Sequence, residues 1–160
     1  FVGVHLIDQI VWYAGDDPVE VYADLHRRPD TGAEATAAFQ MAFARGAVAQ
    51  CFVSQTADRL RYGLDITGTA GTLSLRTAGF LDYEIAVQSG VLDQYREPTV
   101  IRPAIAGDPR NLKHGAQLRE FVTAIRNHTE AAVTIGDARR VLRITDAIAA
   151  SDREGLPVHI

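Results

Sequence analysis

His5 and Asp8 stand three residues apart in the segment Gly3-Val4-His5-Leu6-Ile7-Asp8, whose surroundings carry apolar residues at helical spacing. Positions three apart on a helix are neighbours, so the carboxylate can orient the imidazole or hold its proton. An imidazole with an ordinary pKa of ~6.5 can take a proton from a hydroxyl at neutral pH, the task of a general base. The same spacing also suits a structural pair on a helix surface, and the sequence pattern does not separate the two. Trp12 falls on the face of His5 and Asp8. An aromatic residue there is either a core side chain or the wall of a ligand pocket. His26 and His159 lie in strand-like patterns and His114 and His128 at helix edges, with no carboxylate cluster at ligand spacing, so no metal is expected. Gly68-Thr69-Ala70-Gly71 joins two strand-like runs instead of leading a strand into a helix, and is expected to be a turn and not a phosphate cradle.

The elements that must position these residues follow from periodicity. Ile7, Ile10, Val11 and Ala14 predict a helix from His5 to Ala14, with Gly15 as a left-handed cap and Asp16-Asp17-Pro18 as the turn after it. Val19, Val21, Ala23 and Leu25 then alternate with polar residues, the period of a strand with one buried face. Ala37, Phe39, Met41 and Phe43 share a face of a second strand, Arg45-Gly46 closes a hairpin, and the return strand 47–56 carries apolar residues on both faces, the pattern of a central strand. A second hairpin spans Leu60 to Leu75 about the glycine-flanked turn. Phe80 to Val87 and Tyr95 to Ile101 are weaker strand candidates, punctuated by Gly79 and Gly90. Two helices close the chain, one with the stripe Leu118, Phe121, Val122 and Ile125, the other with Ala138, Val141, Leu142, Thr145 and Ile148. Asp137 suits the positive end of the last helix, and Gly155 and Pro157 mark its exit into a short strand. Consecutive strands bracketed by helices predict an α+β fold: a largely antiparallel open sheet with helices on one face. The helix-free face then needs cover, which predicts self-association as a homodimer or tetramer.

Composition narrows the classes. The 160 residues carry a formal net charge of -4 with basic residues scattered singly, which disfavours nucleic acid as a partner. No apolar stretch approaches the roughly 20 residues that span a bilayer, and no signal-peptide pattern opens the chain, so a cytoplasmic protein without membrane partners is expected. Cys51, the sole cysteine, sits beside Phe52 and Val53 and reads as a buried packing thiol. The chain opens on Phe1 and runs directly into helix, which reads as a piece of something longer.

Three ordered stretches carry a family resemblance. Gly3-Val4-His5-Leu6-Ile7-Asp8, followed by Trp12 and Gly15, resembles the Gly-x-His-x-x-Asp segment of the Gfo/Idh/MocA oxidoreductases. Ile66-Thr67-Gly68-Thr69-Ala70-Gly71-Thr72-Leu73 is similar to that family's hairpin in mid-sheet. Phe121-Val122, Ile125-Arg126, Gly136-Asp137-Ala138, Ala150-Ser151 and Gly155-Leu156-Pro157-Val158 resemble its closing helices and last strand.

The resemblance implies a two-domain NAD(P)-dependent dehydrogenase acting on a sugar, cyclitol or related polyol. Residues 1–160 would be one substrate-binding and oligomerisation domain, truncated at its N-terminal side and lacking the Rossmann domain that holds NAD or NADP. No cofactor is then expected on this chain alone, and no activity. By motif position His5 would be the catalytic base, with Asp8 and Gly3 supporting it and Trp12 lining the substrate site; Tyr22, Tyr62, Tyr83 and Tyr95 could present hydroxyls from the sheet. Two departures bear on the chemistry. Phe1 occupies the position of the family's aspartate four residues before the histidine, and the family's Glu-Lys-Pro segment, which supplies a catalytic lysine, does not occur in these residues. The alternative is a non-catalytic oligomerisation or carbohydrate-binding module derived from the same family.

Overall fold

The computed structural model describes residues 2–58, 61–77, 82–104 and 109–160. The backbone gathers into two compact units, one of the residues up to Ala57 together with Glu130–Ile160, the other of Asp58–Thr129. Phe1, Leu60, Gly79 and Phe80, which figure in the sequence reading, lie outside the described residues.

In the first unit, helix α1 (Val2–Ala14) leads into strands β1 (Pro18–Arg27), β2 (Glu34–Phe43) and β3 (Val48–Ser54), and the unit closes with helix α3 (Ile135–Glu154) and strand β8 (Val158–His159). The strands lie in the order β3-β2-β1-β8, all antiparallel. Register sets one face: Val21 opposes Met41, and Ala23 opposes Phe39, which opposes Cys51. That face meets Ile7 and Val11 of α1 and Val141, Ile144 and Ile148 of α3 in one buried cluster. Each fully buried side chain of this kind contributes about 1.5–3 kcal/mol. Both helices therefore cover the same face, as the alternation in β1 and β2 requires.

The return strand corrects the sequence reading. β3 pairs only with β2 among the described residues, and Val48 and Phe52 on its outer face are 60% and 69% exposed. Its inner face alone, with Ala49, Cys51 and Val53, reaches the helices. Apolar residues on both faces signalled a central strand, but the second set points to the side that carries no helix in this unit.

In the second unit, β4 (Tyr62–Gly68), β5 (Gly71–Thr77), β6 (Tyr83–Ser89) and β7 (Thr99–Ile101) form a separate antiparallel meander in that order, followed by α2 (Pro109–Asn127). The expected strand from Tyr95 is shorter: Asp93–Tyr95 is a 3-10 turn, held by Ser89, whose hydroxyl accepts from the N–H groups of Val91 and Leu92 at 3.2 and 3.1 Å. Gly71 is required by a close approach. Its φ of 148° and the 2.1 Å that would separate a Cβ from the Gln88 carbonyl leave no room for a side chain. The α2 stripe is not core. Leu118, Phe121, Val122 and Ile125 are all exposed, and among the described side chains of α2 Ala124 is buried.

The joint between α3 and β1 accounts for the sheet edge. β8 pairs with β1 only at Glu20 and Val21, so the β1 edge beyond them must find other partners. The fully buried Ser151 hydroxyl accepts from the Ala23 N–H at 3.0 Å and donates to the Leu156 carbonyl at 2.7 Å. Asp152 accepts from the Leu25 N–H and from the Arg27 guanidinium, both at 2.7 Å. Burial alone would raise the Asp152 pKa, but the Leu25 N–H and the Arg27 charge outweigh it and hold the carboxyl below 3.8. The ends of α3 match their sequence signals. Thr134 and Asp137 form a reciprocal capping box, and Gly155 closes the helix in the left-handed region.

Ser151→Ala should destabilise the protein by about 1–3 kcal/mol, because a buried N–H loses its acceptor. A lower urea midpoint at constant slope would show it; an unchanged midpoint would mean that water replaces the hydroxyl. Because Asp152 has a lowered folded pKa, the unfolded chain takes up its proton first. Its contribution is present above 3.8 and lost as pH falls through the folded value, so Asp152→Asn should flatten the acid limb of a stability-versus-pH curve.

Candidate functional site

The candidate site is the outward face of α1. Ile7 and Val11 are buried, which turns His5, Asp8 and Trp12 away from the sheet, and all three are exposed. Trp12 is 73% exposed, so it is not a core side chain, and its ring lies 4.9 Å from that of Tyr13 at a tilted angle. No hydrogen bond joins His5 to Asp8 among the described residues. Gly3 points the other way. With Val4 and Ile7 it lines a cavity of about 80 Å³ whose wall is otherwise Leu25, Ala37, Phe39, Val53, Ile148 and a few polar rim residues. That space is apolar and small, and His5 does not line it.

Two tethers fix the far end of α1. Gly15 takes φ 58° and returns its N–H to the Val11 carbonyl at 3.0 Å, the left-handed cap expected at that position. Arg45, in the β2–β3 turn, donates its guanidinium to the Ala14 and Gly15 carbonyls at 3.1 and 2.6 Å, placing a cation at the negative helix end. The Arg45 N–H donates to the Asp16 carboxylate at 2.9 Å, and that bond, with the Asp17 N–H and the Arg45 charge, overcomes desolvation to hold the Asp16 pKa below 3.8. The row of His5, Asp8 and Trp12 is thus built on a helix gripped along its inner face and at its last turn.

The remaining sequence candidates scatter. Tyr22 is exposed on the helix-free face of β1, Tyr62 and Tyr83 are half-buried in the second unit, and Tyr95 sits in the 3-10 turn. Gly68 and Gly71 pair with each other across the β4–β5 turn, a hairpin and not a phosphate loop. Among the described residues, no three His, Cys, Asp or Glu side chains gather as a metal site, and no helix is long and apolar enough to cross a membrane. Sequence reasoning missed Arg45 and Ser151 as positioning residues. Ser151 lay within a family-like segment, but its role depends on β1, 128 residues away in the chain. The Arg45 grip had no local signal at all.

This fold is shared with solved oxidoreductases. An aldose-aldose oxidoreductase from Caulobacter crescentus, complexed with glycerol, is 24% identical with a TM-score of 0.79, the match covering 99% of this chain and 46% of that one. An oxidoreductase domain protein from Kribbella flavida is 18% identical with a TM-score of 0.81, over 99% of this chain and 48% of that one. A UDP-N-acetylglucosamine 3-dehydrogenase from Acidithiobacillus ferrooxidans is 20% identical with a TM-score of 0.75, over 92% and 44%. The chain spans about half the length of these structures. Residues 2–74, from α1 into β5, match the family model described as GFO/IDH/MocA C-terminal domain. A comparison with curated proteins returned no match.

Cys51 lies in the first unit's core, where burial pushes its thiol up to about 12. The native protein should therefore resist Ellman's reagent at pH 8 and react with one thiol equivalent once unfolded in guanidinium; rapid native reaction would mean that the β3 edge opens readily.

Proposed function

We propose that the chain is the C-terminal substrate-binding portion of an NAD(P)-dependent oxidoreductase acting on a sugar, cyclitol or related polyol. The observation that carries this reading is the coincidence of the matched family segment with α1, where the Gly-x-His-x-x-Asp pattern presents His5 to solvent. In the reaction, His5 takes the proton of the substrate hydroxyl as the carbinol carbon gives up its hydride, leaving a carbonyl. Asp8, one turn further on, orients that imidazole or the hydroxyl it serves, and Gly3 supports the turn that carries them. Trp12 offers an apolar wall to the sugar.

The nicotinamide dinucleotide, when bound, supplies the hydride acceptor. Nothing among the described residues fits it, because both sheets are antiparallel and the glycine pair forms a hairpin. On this reading the cofactor belongs to a Rossmann-fold half of a longer polypeptide, and the chain alone is inactive. The helix-free face of β1 to β3, with Tyr22, Val48 and Phe52 exposed on it, supports self-association as a homodimer or tetramer. A cytoplasmic setting completes the proposal.

The test uses the polypeptide encoded by the complete gene. It should bind NAD or NADP and oxidise a polyol, and His5→Ala should lower kcat/KM by about 10²- to 10⁴-fold with cofactor affinity unchanged. One observation favours the non-catalytic module, namely Phe1 at the position of the family's aspartate. Absence of nicotinamide binding under any condition would decide for that module and against the dehydrogenase.

A further inference from the structure

Within the first unit, the start of β1, the residue after β8 and the first turns of α3 enclose a cleft of about 470 Å³. Pro18, Val19, Ile144 and Ile160 give it apolar surface, and the Ile160 N–H donates to the Val19 carbonyl at 3.1 Å, which closes its floor. Arg139, Arg140 and Arg143 line the other side, and their charges are not matched alike. Arg140 donates to Asp17 at 2.8 Å and to Asp137 at 3.3 Å, so two carboxylates share it. Arg139 and Arg143 have no hydrogen-bond or ion-pair partner among the described residues. They stand four positions apart on one helix, where like charges lie about 5–6 Å apart at Cβ and repel. A guanidinium cannot shed its proton in a protein, so only an anion relieves that repulsion. In a chain of net charge -4, two unmatched cations facing one recess run against the overall balance.

We propose that this cleft binds a phosphate group, as the free ion or as the monoester of a small organic molecule, held between the Arg139 and Arg143 side chains. A phosphate monoester carries a charge of roughly -1.5 to -2 near pH 7 and three acceptor oxygens, enough to balance both cations and to accept from two planar forks at once. A single carboxylate would balance only one of them. A dicarboxylate matches the charge but must freeze a flexible chain to bring one carboxylate to each fork. The end of α3 is not the donor, because the capping box of Thr134 and Asp137 already occupies it. Gly136 lines the cleft without a side chain, and Pro18 and Val19 offer the carbon skeleton of an ester a surface to rest on. The site does not depend on the role given to His5.

Isothermal titration of the 160-residue protein at neutral pH, with ionic strength held constant by potassium chloride, compares inorganic phosphate, glycerol 3-phosphate and succinate. The proposal expects one saturable site for at least one of the two phosphates, with a Kd of about 1 mM or tighter, and weaker binding of succinate. The double substitution Arg139→Gln, Arg143→Gln should weaken phosphate binding by about tenfold or more, since two charge-assisted donors are lost. Arg153→Gln, at the far end of the same helix, should leave it unchanged. All three arginines are exposed, so the substitutions leave the core intact. Binding of the free ion at least as tight as that of the ester names inorganic phosphate as the ligand, and tighter binding of the ester names an organic phosphate; either supports the site. No saturation with either phosphate, succinate bound as tightly, an undiminished affinity in the double variant, or an equal loss in Arg153→Gln overturns it. The readout is binding to this chain alone, so the dehydrogenase reading stands or falls separately.

Discussion

Everything in the first unit depends on how the open edge of β1 is satisfied. A short strand such as β8 leaves backbone N–H groups beyond its end, and buried donors without acceptors cost about as much as the net stability that several good contacts supply. Two consecutive side chains at the end of α3, the Ser151 hydroxyl and the Asp152 carboxylate, accept from Ala23 and Leu25. They lock the helix to the strand in register as well as in place, because a helix shifted by one residue would present neither oxygen. With α3 fixed on that face, the remaining room over β2 and β3 is what α1 fills with Ile7 and Val11.

The placement of α1 therefore follows from packing, and the chemistry follows from the placement. Burial of one stripe dictates that the opposite stripe, with His5, Asp8 and Trp12, faces outward. Arg45 donates to the carbonyls at the end of α1 and so ties its last turn to the β2–β3 turn. On the proposed reading, His5 must lie within hydrogen-bond reach of the proton it abstracts, which its place on the outward face allows. This outward face is open, with His5, Asp8 and Trp12 all exposed.

Each unit also leaves apolar surface in water. Val48 and Phe52 on β3, and the stripe of Leu118, Phe121, Val122 and Ile125 on α2, are exposed, while the helix-facing side of the first sheet is buried in one cluster. Such surfaces are costly when bare and are characteristic of proteins that meet a further domain or subunit.

The sequence by itself determined the local elements: the α1 cap at Gly15, the alternation of β1 and β2, the hairpin at Gly68 to Gly71, and the capping box and exit glycine of α3. Each is a short-range signal, set by backbone conformations or periodicities that a few neighbouring residues impose. It also determined that His5, Asp8 and Trp12 share a face, because helical geometry requires it. What it could not decide was which apolar stripes become core. The outer stripe of β3 and the stripe of α2 look as convincing as the inner faces of β1 and β3, yet they are exposed, and in α3 Val141 and Ile148 are buried while Ala138 and Leu142 are not, because burial depends on partners distant in the chain. The division of the strands into two sheets and the exposure of Trp12 were likewise decided only in the tertiary structure, as were the roles of Ser151, Asp152 and Arg45, which rest on contacts between residues about 30 to 130 positions apart.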